Sequence, residues 1–260
     1  MLLAIDIGNT NITLGAYRDE ALLFVSRMFT ARQKTSDEFA TDLLNIFKLY
    51  EVSAGDFSKV VMSCVVPEIE ESVIRAVKMI TGKMPVIVGA ENHGNFEVDV
   101  LPVSAIGADL ICAAVAAKAK YSLPCLVADL GTATKIIVVD ENGKFVCCTI
   151  SPGVKISMDA LAKHASLLPS VSFKAPKKAV GANTAECIQS GVVFGTAAML
   201  DGLIRRISSE LSLKNATVVA TGGYSKGIIP CCKTKIIYDE NLLLDGLREI
   251  AKPITIGNDV

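Results

Sequence analysis

The chain repeats itself, and the repeat limits what it can fold into. Near the start, the apolar run Leu2-Leu3-Ala4-Ile5 meets Asp6-Ile7-Gly8-Asn9-Thr10; about halfway along, Cys125-Leu126-Val127-Ala128 meets Asp129-Leu130-Gly131-Thr132. Asp6 matches Asp129 and Gly8 matches Gly131 at one constant offset. The match continues beyond the turns. ITLGAYRDEALLFVSR and KIIVVDENGKFVCCTI each read as strand, polar turn, strand, with Arg18-Asp19-Glu20 at one turn and Glu141-Asn142-Gly143 at the other. Asn-Gly between apolar runs is a strong hairpin signal. A repeat of about half the chain predicts two copies of one domain and not a solenoid. The expected domains are residues 1–117 and 118–260, facing each other so that Asp6 and Asp129 stand on opposite walls of one cleft.

A strand that ends in an acid, a glycine and small hydrogen-bonding residues has two readings. One is an ordinary β-turn built on Asp-x-Gly-Asn chemistry. The other is a phosphate loop: Gly8 lets backbone approach a ligand, and the amides of such a turn point at an anion. Asn9 and Thr10 add side-chain donors, while Asp6 reaches phosphate through a bound Mg²⁺. The duplication favours the second reading, because it supplies two such corners for one phosphoryl group and its cation.

Composition narrows the class. With 51% hydrophobic and 20% charged residues, the 260-residue chain has the make-up of a soluble globular protein with a substantial core. Its net charge of −1, 5% aromatic content and lack of tryptophan argue against a nucleic-acid surface. The eight cysteines include no Cys-x-x-Cys, and His93 and His164 stand apart from any ligand spacing. They read as reduced core thiols of a cytoplasmic protein. No signal segment is expected at the start, where Asp6 interrupts the apolar run, and no membrane-spanning window is expected.

Along the chain, Leu22–Phe29 reads as a third strand. Thr35 and Glu38 have capping-box spacing ahead of a helix whose apolar stripe is Phe39, Leu43, Leu44 and Phe47. Val60–Val66 is a buried strand, Pro67 opens a helix ending near Gly82, and Pro85–Gly89 is another strand. The first half therefore reads β-β-β-α-β-α-β. Gly107-Ala108-Asp109 precedes an Ala-rich helix, and Asp109 reads either as its N-cap or as a carboxylate fixed at a cleft edge as a general base. In the second half, Ser151–Ser157 turns into a helix. Asn183 opens a long one to about Leu211, with Gly191 and Gly195 permitting close helix packing. Val218–Gly223 is a strand whose glycine pair reads either as a turn or as a backbone approach to an adenosine. Ile236–Asp239 is the last strand, a closing helix follows, and the tail from Pro253 is expected to be loose.

In this order, Asp6-Ile7-Gly8-Asn9-Thr10, Gly107-Ala108-Asp109, Asp129-Leu130-Gly131-Thr132-Ala133-Thr134, Pro152-Gly153, Gly181-Ala182-Asn183-Thr184 and Ala220-Thr221-Gly222-Gly223 resemble the type III pantothenate kinases. The resemblance covers nearly the whole chain. It implies an α/β protein of two duplicated ribonuclease H-like domains, as in the acetate kinase, sugar kinase, Hsp70 and actin superfamily. The implied reaction is ATP-dependent phosphorylation of pantothenate to 4′-phosphopantothenate, the first step of coenzyme A biosynthesis. The first phosphate loop would comprise Asp6, Ile7, Gly8, Asn9, Thr10, Asn11, Ile12 and Thr13, with Asp6 near Mg²⁺. Asp109 would be the general base on the pantothenate hydroxyl, with Gly107, Ala108 and Leu110 lining the substrate pocket. Asp129 would bind a monovalent cation, K⁺ or NH₄⁺, and Thr132 would contact ATP. Thr184 would touch pantothenate from the partner subunit of a homodimer.

Three departures from the family pattern stand out. Leu110 follows Asp109 where an arginine is common. Lys135-Ile136-Ile137 replaces Thr-x-Asp after Thr134, so Lys135 is either a cation on the phosphate side or a solvent-facing residue at a strand start. Position 100, where an aromatic is usual, is near Val100. Two other functions fit the same loops: a nucleotide-binding regulator without turnover, and a kinase for another small alcohol.

Overall fold

The structure, a computed structural model, describes residues 1–89, 91–94, 96–99, 102 and 105–252. Val100 and the tail from Pro253 lie outside the described residues. The duplication is explicit in the topology. β1 (Leu2–Ile7), β2 (Asn11–Arg18), β3 (Ala21–Phe29), β4 (Lys59–Cys64) and β5 (Val86–Ile87) form a five-stranded sheet of order β3-β2-β1-β4-β5. β6 (Cys125–Leu130), β7 (Ala133–Val139), β8 (Phe145–Pro152), β9 (Thr217–Thr221) and β10 (Ile237–Tyr238) form a second sheet of the same order, β8-β7-β6-β9-β10. In both, the first three strands are antiparallel and the last two run parallel to the central one. These are the two copies expected from the repeat, and they agree with the ribonuclease H-like pair that the resemblance implies.

The two hairpin loops differ by one residue. Ile7 faces Ile12 across the first, and Leu130 faces Thr134 across the second. Asp6 is therefore opposite Thr13, while Asp129 is opposite Lys135. The constant-offset alignment, which sets Ile12 against Lys135, slips by one residue beyond the loop.

The period-2 alternation of β1 sorts its side chains between two faces. Leu3, Ile5 and Ile7 join a core with Phe39, Leu43, Phe47, Ile69, Val73 and Val77. Those last six lie on α1 (Ser36–Leu49) and α2 (Pro67–Thr81). Both helices begin, and the second ends, where the sequence predicts. Thr35 and Glu38 form a reciprocal capping box. Pro67 occupies the first turn of α2, and Gly82 closes it in the left-handed conformation at φ 70°. The other face of β1, carrying Ala4, packs with Tyr17, Val61, Ile111, Cys112, Leu244, Leu247 and Ile250. These come from the sheet, from α3 (Ala108–Lys120) and from α7 (Leu242–Ala251).

In the second sheet, Leu126, Ala128 and Leu130 pack with Val154, Met158, Val193, Ala197, Leu200 and Ile204. The partners lie on α4 (Val154–His164) and the long α5 (Thr184–Glu210), and the four-residue α6 (Ser225–Ile228) completes this side. α5 corrects one expectation: it is long and apolar enough to cross a membrane by length and composition. Its apolar length is used to cover a sheet, with Ile188, Val192, Val193, Ala197, Leu200, Ile204 and Ile207 buried.

The chain divides into two compact units, Met1–Phe96 with Val100–Ala119 and Leu242–Val260, and Glu97–Asp99 with Lys120–Asn241. α7 groups with the unit of the first sheet. Leu244, Leu247 and Ile250 line one stripe of α7 and need an apolar sheet face, which β1, β2 and β4 provide. Two glycines permit the approach: a Cβ at Gly15 would come within 2.9 Å of Leu244, and one at Gly246 within 2.0 Å of the Cys112 carbonyl oxygen. Tyr17 Oη donates to Asp245 at 2.9 Å, and Lys59 Nζ donates to the Ala251 carbonyl.

Candidate active site

In the first unit, Asp6 lies in register with Ser63 of β4. The Ser63 hydroxyl, fully buried, donates to Asp6 Oδ1 at 2.5 Å. The loop beyond is shaped by its own backbone and by β3. The Gly8 amide donates to the Asn11 carbonyl at 3.0 Å, and a Cβ on Gly8 would lie 3.2 Å from that oxygen. Thr30 Oγ1 donates to the Gly8 carbonyl at 2.6 Å, and the Thr30 amide donates to the Thr10 carbonyl at 3.0 Å. With its carbonyls drawn back to Thr30, the loop presents Asn9, Thr10 and Asn11 to solvent. Ile7 and Ile12, expected among the binding residues, are buried opposite each other and anchor the loop. Arg32 donates to Asn9 Oδ1 at 3.0 Å and pairs with Glu68 at 2.5 Å, fixing a guanidinium beside the loop.

Asp109 is the second residue of α3 and not its N-cap. The amides of Leu110 and Ile111 donate to the Gly107 carbonyl at 3.0 and 3.3 Å, starting the helix one residue before the expected cap ends it. Asp109 Oδ1 accepts from the Leu110 amide at 2.9 Å. The carboxylate thus sits in the first turn, where the helix dipole favours negative charge. Gly107 is required for this pose, because a Cβ there would come within 2.6 Å of Asp109 Oδ1. Ala108 and Leu110 are both buried, so Leu110 contributes packing where an arginine would have offered a charge.

One fully buried thiol connects these acids. Cys112, a turn after Asp109, is held well above the ordinary thiol range, first by burial and then by the carboxylates of Asp6 and Asp109, while hydrogen bonding with Ser63 acts in the opposite sense. Cys64, at the end of β4, is pushed up to about 12, chiefly by burial. Protonated thiols beside carboxylates are poor nucleophiles. All eight cysteines are free thiols. Among the described residues, no group of three or more His, Cys, Asp or Glu side chains could hold a metal ion.

In the second unit, Asp129 occupies the position of Asp6, with Thr221 of β9 at the position of Ser63. Its surroundings are tighter. Gly222, at φ 92°, leaves room that a Cβ would close to 2.5 Å from the Leu130 carbonyl carbon and 2.8 Å from Asp129 Oδ1. The close approach that this glycine permits is therefore to the second loop itself. Gly153, which caps α4, is equally constrained, since its Cβ would lie 2.1 Å from the Thr132 carbonyl oxygen. Thr132 is exposed at the turn, whereas Thr134 turns its hydroxyl into the opposite, core-facing side of β7. Lys135 Nζ stands 2.8 Å from Asp129 Oδ2, with only 13% and 11% of the two side chains exposed. Lys135 is therefore turned onto the loop carboxylate and not out to solvent.

Thr184 opens α5, whose N-cap Asn183 accepts from the Glu186 amide at 3.0 Å. Gly181 lets this segment close on the helix, as a Cβ there would lie 2.6 Å from the Cys187 amide nitrogen. Thr184 lines a largely apolar cavity of about 550 Å³ with Leu161, Cys187, Ile188, Gly191 and Met199.

Three supporting residues escaped the sequence reading: Ser63, Thr30 and Arg32. Only Ser63 left a trace, as the lone hydroxyl in an apolar strand at the parity that meets Asp6. The other two reach the loop through tertiary structure.

The chain matches the family model for type III pantothenate kinase over residues 2–206. It is 35% identical over 249 residues to the type III pantothenate kinase of Dehalococcoides mccartyi (strain CBDB1), covering 96% of this chain and 94% of that one. It is 37% identical over 250 residues to the enzyme of the same name from Exiguobacterium sibiricum, covering 96% and 98%. Among solved structures, component A of (R)-2-hydroxyglutaryl-CoA dehydratase from Acidaminococcus fermentans superposes with a TM-score of 0.59 at 15% identity, covering 96% and 95%, a likeness of fold alone.

Proposed function

Since the chain belongs to the type III pantothenate kinase family, we propose that it transfers the γ-phosphoryl group of ATP to the primary hydroxyl of pantothenate in the cytoplasm. The products are 4′-phosphopantothenate and ADP, the first step toward coenzyme A. The observation that carries the assignment of roles is the cluster of Asp6, Ser63, Cys112 and Asp109 in the first unit.

Phosphoryl transfer is mostly positioning and neutralisation of charge. The exposed Asn9 and Thr10, with the amides of their loop and the Arg32 guanidinium beside them, bind the phosphates. Asp6, oriented by Ser63, would hold Mg²⁺, which when bound screens the charge between neighbouring phosphate oxygens. Thr132 contacts the nucleotide from the second loop. Asp109 accepts the pantothenate proton as the oxygen–phosphorus bond forms; its carboxylate is aimed by the Leu110 amide and by the space at Gly107. We assign Thr184 to pantothenate across a homodimer. The exposed face of α5 is a stripe of small residues, Thr184, Cys187, Gly191, Gly195 and Ala198, with nothing within 4 Å of where a Cβ on either glycine would stand.

The test is formation of 4′-phosphopantothenate, read by mass spectrometry, from ATP, Mg²⁺ and pantothenate. Asp109→Asn is expected to keep ATP affinity and lose at least ~100-fold in turnover, the usual worth of a positioned base. Normal turnover in that variant would remove Asp109 from the role.

A further inference from the structure

The duplication places the two loop acids in comparable frames with different residues on the antiparallel neighbour. Each follows a buried central strand, and each faces a hydroxyl residue on the parallel neighbour, Ser63 for Asp6 and Thr221 for Asp129. On the antiparallel neighbour, Asp6 faces Thr13, a neutral side chain, whereas Asp129 faces Lys135. Directly opposed residues in a hairpin point to the same side of the sheet with Cβ atoms about 5 Å apart. A lysine there has little choice but to lay its ammonium on the carboxylate, and the 2.8 Å separation shows that it does.

We propose that Lys135 supplies, from within the chain, the monovalent positive charge of the second phosphate loop, so that catalysis is independent of added K⁺ or NH₄⁺. This rests on the kinase reading above. The residues do not fit a separate cation at Asp129. Its Oδ2 already carries the lysine ammonium at 2.8 Å, with both side chains nearly buried. A further cation beside that ammonium would meet like-charge repulsion at a site already neutralised. Both partners are nearly buried, so the pair is weakly screened by salt, and removing one partner would leave an uncompensated charge. At the equivalent position of its own hairpin, Asp6 is opposite Thr13. Lys135 acts here as a positioning residue, fixing Asp129 and the charge of the turn at Gly131 and Thr132.

The experiment compares the wild-type chain, Lys135→Arg and Lys135→Thr in buffers containing tetramethylammonium, sodium or potassium chloride at constant ionic strength. Two quantities are read: 4′-phosphopantothenate formation and ATP affinity by calorimetry. The expected result is that wild type and Lys135→Arg differ by less than about twofold between salts in both measurements. Lys135→Thr opens space beside a bare carboxylate. It is expected to lose about 100-fold in turnover without potassium, the scale of one lost charge-stabilising contact, and to regain most of it with potassium. Its ATP affinity and melting temperature are expected to rise with potassium but not with sodium. Selective potassium activation of the wild type, or salt-indifferent ATP binding by a folded Lys135→Thr, overturns the proposal. Should no salt yield phosphopantothenate, the pantothenate assignment fails, and the ATP-affinity and melting comparisons still decide the role of Lys135.

Discussion

Replacing Gly222 with alanine tests how the second loop is held. Two costs follow from the geometry. At φ 92° a side chain is strained, at about 1–2 kcal/mol for a left-handed residue. The added Cβ would also stand 2.5 Å from the Leu130 carbonyl carbon, about 1 Å short of ordinary carbon–carbon contact. Something must therefore move by roughly that distance, and the nearest atoms are backbone of the loop and Oδ1 of Asp129. Overpacking of this kind costs about 1–3 kcal/mol, and a displacement of about 1 Å in a positioning element costs about 100-fold in rate. Gly82→Ala is the control. Gly82 is also left-handed, at φ 70°, but nothing lies within 4 Å of the position its Cβ would take. For a chain of this size, about 1 kcal/mol lowers the melting temperature by roughly 2–4 °C. Gly82→Ala is expected to melt a few degrees lower with unchanged kinetics. Gly222→Ala is expected to melt lower still and to lose about 100-fold in kcat/KM for ATP. Calorimetric melting and steady-state kinetics on both variants decide it. If the two variants behave alike, the close packing of Gly222 on the Asp129 loop does not organise the site.

Two further expectations follow. Ser63→Ala removes the buried hydroxyl that orients Asp6 and should raise the Mg²⁺ concentration for half-maximal rate by about tenfold, the low end for loss of an outer-shell partner; an unchanged Mg²⁺ titration would refute the coupling. Cys187 is exposed on the proposed dimer face of α5, so a thiol reagent should label it slowly in concentrated protein and faster on dilution. A labelling rate independent of concentration would remove that face from the interface.

Local chemistry made much of the first unit legible. The Thr35–Glu38 box, Pro67 at the start of α2 and Gly82 at its end act within a few residues, and each appears where its spacing predicts. The repeat disclosed the shared strand order because both copies kept the acid, the glycine and the following hairpin. What stayed hidden depends on register or on distant partners. Asp129 and Lys135 pair because the second loop is one residue shorter than the first, a difference that a constant-offset alignment conceals. Asp109 moved from cap to first turn because the Gly107 carbonyl already receives the opening helical hydrogen bonds. The strands expected at 85–89 and 236–239 shrink to Val86–Ile87 and Ile237–Tyr238. Both are edge strands, with a single partner to pair with.

The return of α7 to the first sheet has a consequence for how the protein is made. The unit bearing Asp6 and Asp109 is interrupted by residues 120–241 of the other unit and is closed by α7, which follows them. While the ribosome works through residues 120–241, the surface formed by Ala4, Tyr17, Val61 and Ile111 waits without its cover. Residues 120–241 can pack as they emerge, whereas this face of the first unit gains its cover only once α7 has followed them. A chain cut before α7 would therefore keep every signature motif and still leave that apolar face open.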